Sequence, residues 1–511
     1  MLPRRVLAAV TAVMVVASGC AVERDGVGHR LGAAVPGTPS PDAISFRDCT
    51  KQLLDNGLPV PKALTGKITV GCGSLPVPLD YARPRGRTIS LTVVRIHDTD
   101  NTVVPAQSLL LNPGGPGASG VDFALGYLGE VPTEIVQHYD LIGFDPRGVG
   151  LSEPIKCIGD TAKDALIAAA PDVTTPAGFR QAKRLAVQFA QACEKRVGEA
   201  LPYFTTVNTA RDMDQIRQAI GSDRMNYLGF SYGTELGWVY AHLFPKRVRA
   251  FVLDGAVDPD DHDPGDGAQL AGFEQAFDQF ATNCATVSPC KQLTDPRATV
   301  AAIGSAARTT PLPTGTSRRL TYGLAILGVL SALYSKSLWP TLATALLDAS
   351  KGDGAGLLAL ADRYSQRQPD GSYTNIYDAN TAISCNDVKR GPSDAVIRRT
   401  ARVWAKDYPL FGRWSGSSLF GCQQWQPKRT PLPPPKAATP TTVLVLGNLH
   451  DPATPYQGAK DLARDLGNAD LLTWNGEGHT SYGSGSSCVD DAVNAYLLTM
   501  TLPADDTVCP A

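Results

Sequence analysis

The chain has 511 residues, 43% hydrophobic and 19% charged, with 47 basic side chains against 49 acidic ones. That composition suits a large globular protein, and its near balance of charge excludes the basic footprint of a nucleic-acid binder. Small molecules, peptides or proteins are the expected partners, and nothing in the sequence sets the oligomeric state.

Arg4 and Arg5 precede an apolar run over residues 6–17, and Ala17, Ser18 and Gly19 lead into Cys20. This pattern is a secretory signal, too short for a membrane span of about 20 residues. Small residues running into a cysteine resemble the bacterial lipobox, although Ala17 stands where leucine is usual. Cys20 is the expected lipidation site, which makes the protein exported and membrane-tethered; plain cleavage and secretion is the alternative. The chain has 11 cysteines, so setting Cys20 aside leaves an even number, as disulfides in an exported protein require. The sequence leaves their connectivity open. Short loops cost least to close, which favours Cys49–Cys72, Cys157–Cys193, Cys284–Cys290, Cys385–Cys422 and Cys488–Cys509. No C-x-x-C pair points to a metal, and no cofactor is expected.

Residues 21–45 are rich in Gly, Pro, Ala and Ser without periodicity and read as a tether. Alternation over 89–96 predicts a strand on a sheet edge, and the run 107–111 a second strand, short and apolar. The second runs into Asn112-Pro113-Gly114-Gly115-Pro116-Gly117, where glycines leave bare N–H groups able to face an anion. A buried strand over 139–144 ends in the Asp145-to-Ser152 loop. Polar, helix-patterned residues up to 208 read as a surface elaboration, and an amphipathic helix follows over 209–220.

The apolar run 225–230 then stops at Gly229-Phe230-Ser231-Tyr232-Gly233, ahead of a helical segment over 234–244. A strand that turns at once into a helix strains the serine backbone, and only small residues fit two positions either side. The next strand is predicted over 249–253. Strands alternating with helices predict an α/β fold with a mostly parallel, doubly wound sheet.

Beyond Asp254 the pattern changes. Asp258, Asp260, Asp261, Asp263 and Asp266 crowd one loop, but they lack the glycine and glutamate register of a calcium loop and read as a solvated linker. Residues 267–428 are helical in pattern, with helices expected at 272–284, 321–334, 340–349 and 355–364. This stretch is read as an inserted lid. Five prolines within 431–440 mark the return. A strand at 442–446, a helix at 456–466, a strand at 469–474 and a helix at 489–498 complete the sheet. The expected units are signal 1–20, tether 21–45, first core part 46–260, helical lid 261–435 and second core part 436–511.

The returning half supplies Asp451, after one strand, and His479, after the next. Both belong to the sheet edge that carries Ser231 and the Gly114–Gly115 loop. A serine hydroxyl is a weak nucleophile, so His479 is the candidate base and Asp451 the group that orients it. Backbone N–H groups of Tyr232 and of Gly114 or Gly115 are the candidate oxyanion donors. The rivals are His450, whose side chain points away from adjacent Asp451, and Asp254, an alternative acid one strand earlier.

With these motifs assembled, the chain resembles the proline-iminopeptidase-like serine peptidases of the α/β-hydrolase fold. Within them it is more similar to the secreted tripeptidyl aminopeptidases of actinobacteria and their mycobacterial cell-envelope relatives. Asn112 departs from the histidine common in iminopeptidases, so their proline preference is not carried over. The resemblance implies hydrolysis near a free N-terminus beneath a helical lid, with a cell-envelope endopeptidase or a same-fold esterase as the alternative. An exopeptidase needs a carboxylate at fixed distance from the nucleophile to pair with the substrate ammonium. Asp387 is the candidate, and Glu235 a weaker one.

Overall fold

The computed structural model describes residues 43–101, 103, 107–259, 267–285 and 289–511. Cys20, residues 21–42 of the tether and Asp260, Asp261, Asp263 and Asp266 lie outside the described residues. Among the described residues ten strands form one sheet: β1 (Arg47–Asp48), β2 (Ile68–Pro78), β3 (Thr88–Asp98), β4 (Gln107–Asn112), β5 (Tyr139–Phe144), β6 (Met225–Phe230), β7 (Val248–Asp254), β8 (Val443–His450), β9 (Ala469–Glu477) and β10 (Val508–Cys509). Their order is β1-β2-β3-β5-β4-β6-β7-β8-β9-β10, and every pairing from β5 to β10 is parallel.

Parallel strands covered on both faces need apolar side chains at successive positions. In β6 all six residues are buried. Alternate strand residues feed opposite cores. Leu110, Tyr227 and Val445 face the side that holds the helices Thr206–Ala219 and Tyr232–Leu243. Leu109, Leu111, Leu228 and Leu444 face the side of Gly120–Tyr127 and Ser487–Thr499. The chain leaves β4 for β5 on one side and then crosses to β6 on the other, a switch point at which strand ends diverge and ligands bind. Asn112 lies opposite Gly229 there.

A third core, formed by Phe273, Phe277, Leu327, Leu342, Leu357 and neighbours, holds the lid together. Three findings correct the expected boundaries. Val173, Phe179 and Ala182, from the presumed surface elaboration, pack into this lid core. Conversely, helix Ile376–Asp387, within the expected lid span, buries Ala379, Ala382, Ile383 and Cys385 in the sheet-side core. Order also begins earlier than position 46, because Ile44 is buried there.

Among the described residues the disulfides are Cys49–Cys72, Cys157–Cys193, Cys284–Cys290, Cys385–Cys422 and Cys488–Cys509. Helix Tyr322–Leu333, the most apolar of the lid, is 12 residues long, and no described helix is long and apolar enough to cross a membrane.

Candidate active site

Ser231 is the residue between β6 and the helix Tyr232–Leu243, and it holds a φ of 55°, a left-handed conformation that side chains disfavour. Its N–H donates to the Asp254 carbonyl at 2.9 Å, and its own carbonyl accepts from the Thr234 N–H at 2.8 Å and hydroxyl at 2.7 Å. The flanking glycines are steric necessities. A Cβ on Gly229 would stand 2.5 Å from the Gly233 carbonyl oxygen, and one on Gly233 2.8 Å from that of Asn112. A strained serine at a helix N-terminus puts its hydroxyl beside free N–H donors and a positive helix end.

The glycine loop after β4 presses against this elbow. Gly114, at φ 94°, would with a Cβ stand 2.5 Å from the Phe230 carbonyl oxygen, 2.9 Å from Ser231 Cβ and 3.0 Å from Tyr232 N. Its N–H is already taken, donating to Asn112 Oδ1 at 3.0 Å. Of the two glycines named from the sequence, Gly114 supplies closeness, and its occupied N–H leaves Gly115 as the candidate donor beside Tyr232. Asn112, the departure from the iminopeptidase pattern, is the residue that folds this turn.

Asp451 and His479 meet across the ends of β8 and β9. Nδ1 of His479 lies 2.9 Å from each carboxylate oxygen of Asp451. Asp451, 3% exposed, also accepts from the N–H groups of Ala453 and Thr454, both at 2.9 Å, and of Thr480 at 3.2 Å. The Thr454 hydroxyl donates to Asp451 Oδ2 at 3.1 Å and stands 3.3 Å from His479 Nδ1. The His479 N–H donates to the Tyr334 carbonyl at 2.8 Å, and the ring stands edge-on to that of Tyr334. Gly478 permits this approach, since a Cβ there would lie 2.9 Å from the same carbonyl oxygen. Among the described residues, Nε2 of His479 is buried without a hydrogen-bond partner. A carboxylate that accepts from Nδ1 fixes the tautomer in which Nε2 is the basic nitrogen.

Burial alone would pull the imidazole down, but the Asp451 charge and hydrogen bond, with a contribution from Asp254, raise it above its ordinary value. Asp254 is not the acid partner. Fully buried at the end of β7, its carboxyl accepts from the N–H groups of Ser481 at 3.0 Å and Tyr482 at 2.8 Å, and burial pushes it up to about 7. Gly255, the next residue, would with a Cβ stand 3.1 Å from His479 Cε1. Asp254 and Gly255 thus touch both the serine and the histidine loops. His450 is turned to the lid, where its Nδ1 stands 3.4 Å from Gln275 Nε2.

Asp387 meets a geometry that corrects the substrate-ammonium expectation. It is 5% exposed, and its carboxyl already accepts from the Thr206 N–H at 3.1 Å and hydroxyl at 2.7 Å. The same hydroxyl stands 2.6 Å from the Tyr232 phenol oxygen. Burial pushes Asp387 up to about 7. Glu235 lies in the first turn of the elbow helix, where the helix dipole favours a carboxylate. The Asp145-to-Ser152 loop proves structural: fully buried Arg147 pairs with both oxygens of Asp212, at 2.7 and 2.6 Å, and caps the Leu79 and Tyr203 carbonyls. Two contributors escaped sequence reasoning. Thr454 was legible as the third residue of an Asx-type turn after Asp451; Tyr334 carried no signal, because its carbonyl reaches the histidine only through the lid.

The family described as TAP-like protein matches residues 408–509. Serine protease Hip1 of Mycobacterium tuberculosis is 39% identical over 458 residues, covering 86% of this chain and 87% of that protein. A Mycobacterium tuberculosis protein named Carboxylesterase B is 39% identical over 505 residues, 96% and 93% of the two chains. The tripeptidyl aminopeptidase of Streptomyces lividans is 34% identical over 494 residues, 94% and 89%. The chain belongs to the α/β-hydrolase family of serine peptidases that includes Hip1 and the Streptomyces tripeptidyl aminopeptidases.

Proposed function

We propose that the protein is an exported aminopeptidase that releases short, tripeptide-like units from free N-termini through an acyl-enzyme on Ser231. The observation that carries the chemistry is His479, held at Nδ1 by Asp451 while Nε2 remains unpartnered and buried. As Ser231 Oγ attacks the scissile carbonyl, Nε2 takes its proton and the carbonyl electrons become the oxyanion, facing the N–H groups of Gly115 and Tyr232. Asp451 stabilises the imidazolium. Collapse of the tetrahedral intermediate breaks the C–N bond as His479 returns its proton to the leaving amine. Water, activated by the same imidazole, then hydrolyses the acyl-serine ester.

The tripeptidyl aminopeptidase relative supports the choice of substrate end. Five disulfides and the signal-like N-terminus support export, with Cys20 as the proposed lipid anchor. An esterase reading is favoured by the relative named Carboxylesterase B, and Hip1, named a serine protease, leaves an endopeptidase reading as a further alternative. Hydrolysis of matched fluorogenic mono-, di- and tripeptide amides, free and N-acetylated, beside a short acyl ester decides among them. The proposal expects cleavage of the free tripeptide and its loss on acetylation. Equal cleavage of acetylated peptides makes the protein an endopeptidase, and turnover of the ester alone makes it an esterase.

A further inference from the structure

Helix Ile376–Asp387 touches both arms of the candidate oxyanion hole. At its first turns, Asn380 Nδ2 donates to the Pro116 carbonyl at 3.1 Å. The backbones there are in close contact, since a Cβ on Gly117 would stand 2.9 Å from the Ile376 carbonyl oxygen and 3.0 Å from Asn380 N. Pro116 and Gly117 directly follow Gly115. At the helix's last residue, Asp387 accepts from the Thr206 hydroxyl, which bonds the Tyr232 phenol. The backbone N–H of Tyr232 is the second proposed donor.

The helix itself is fixed at both ends. Asn375 Nδ2 donates to the Gly148 and Ile155 carbonyls at 2.7 and 3.1 Å. Asn386 Nδ2 donates to the Leu201 and Phe204 carbonyls at 2.8 and 2.9 Å, and its Oδ1 accepts from Trp425 Nε1 at 2.8 Å. The Cys385–Cys422 disulfide adds a covalent pin. Fully satisfied buried networks of this kind rigidify whatever they touch.

We propose that helix Ile376–Asp387 is a strut that sets the separation of the two oxyanion donors, with Asn380 and Asp387 as positioning residues acting through Pro116 and through Thr206–Tyr232. This rests on the acyl-enzyme reading. An oxyanion hole works only when its donors stand at the place the charge develops, so slackening one arm weakens transition-state binding while ground-state binding is kept.

The test uses Asn380→Asp, which keeps the side chain's shape but removes its donor, Asp387→Ala and Tyr232→Phe. Each is assayed on a free-amine trialanyl coumarin amide and with a trialanyl trifluoromethyl ketone, whose adduct with serine carries an oxyanion. The expected result is a fall in kcat of about 10- to 100-fold with KM nearly unchanged, and a matching loss of ketone affinity. Wild-type kcat and ketone affinity in all three, or a rise in KM at unchanged kcat, overturns the strut. Tyr232→Phe keeps the test open if Asp387→Ala does not fold. Ser231→Ala in the same assay separates the two readings: activity there sinks the acyl-enzyme itself, whereas an inactive Ser231→Ala beside unaffected strut variants sinks only this inference.

Discussion

The backbone N–H of Ser231 is bonded to the carbonyl of Asp254, while the side chain of Asp254 holds the N–H groups of Ser481 and Tyr482 just beyond His479. One residue thereby ties the nucleophile's turn to the base's loop. Asp254→Ala leaves two buried N–H groups without an acceptor, at about 1–3 kcal/mol each. We expect a Tm lowered by several degrees and kcat reduced, with more retained in Asp254→Asn, whose carbonyl oxygen still accepts. Unchanged melting in the alanine variant contradicts this assignment.

Asp451→Asn is expected to keep the fold, because the amide oxygen can still accept from Ala453 and Thr454. It offers Nδ1 an amide where a carboxylate fixed the tautomer, so kcat should fall by roughly 10⁴-fold with KM little altered. A loss below tenfold, measured on any substrate the wild type turns over, would mean that another acid serves His479.

The low-pH limb of kcat/KM should report His479. Its folded value is raised above 6.5 chiefly by the Asp451 charge, against the opposing effect of burial. Activity is therefore predicted to fall as pH drops through a midpoint above 6.5, earlier than an unperturbed histidine would give. A profile flat down to pH 5 contradicts a histidine base.

Stability should move in the opposite sense. Burial raises Asp254 and Asp387 to about 7 and Asp145 to about 6, all from 3.8. A group with a raised folded value contributes stability that is full below its unfolded value and lost as pH rises through the folded one. The raised His479 acts with the same sign. Tm is thus expected to decline between pH 5 and 8, and Asp387→Asn to flatten part of that slope. A Tm rising over this range runs against the burial of these carboxyls.

Closing the 37-residue separation of Cys385–Cys422 restricts the unfolded chain by about 4 kcal/mol on the loop-entropy estimate. Replacing both cysteines by alanine should lower Tm and, because the bridge pins helix Ile376–Asp387, lower kcat below the melting range as well. Full activity at 25 °C in the double variant would limit the bridge to stability.

What the sequence made legible follows its physics. β6 and β5 were predicted to the residue, because each is a short, fully buried and mostly apolar run, broken only by Asn226 in one and Asp140 in the other. Ser231, Asp451 and His479 were expected from chain order and strand-end position; the structure brings Asp451 and His479 into contact and puts Ser231 at the turn between β6 and its helix. β2 was missed: Gly71, Gly73, Pro76 and Pro78 break its alternation, and its conformation comes from pairing with β3 along its whole length. The lid boundary was misplaced because composition does not record which core a helix joins, as Phe179 and Ala382 show from opposite sides. Asp387 was read as a free carboxylate able to meet a substrate ammonium, yet Thr206, 181 residues away, decides its environment.

The central claim is that Ser231 is the nucleophile activated by His479. Intact mass spectrometry and peptide mapping after treatment with a fluorophosphonate test it most directly, in wild type, Ser231→Ala and His479→Ala. The account predicts a single adduct on the peptide bearing Ser231, absent in Ser231→Ala, greatly slowed in His479→Ala, and abolishing peptide hydrolysis in step with labelling. An adduct on another residue, or a labelled Ser231 in an enzyme that still hydrolyses its substrate, would contradict it.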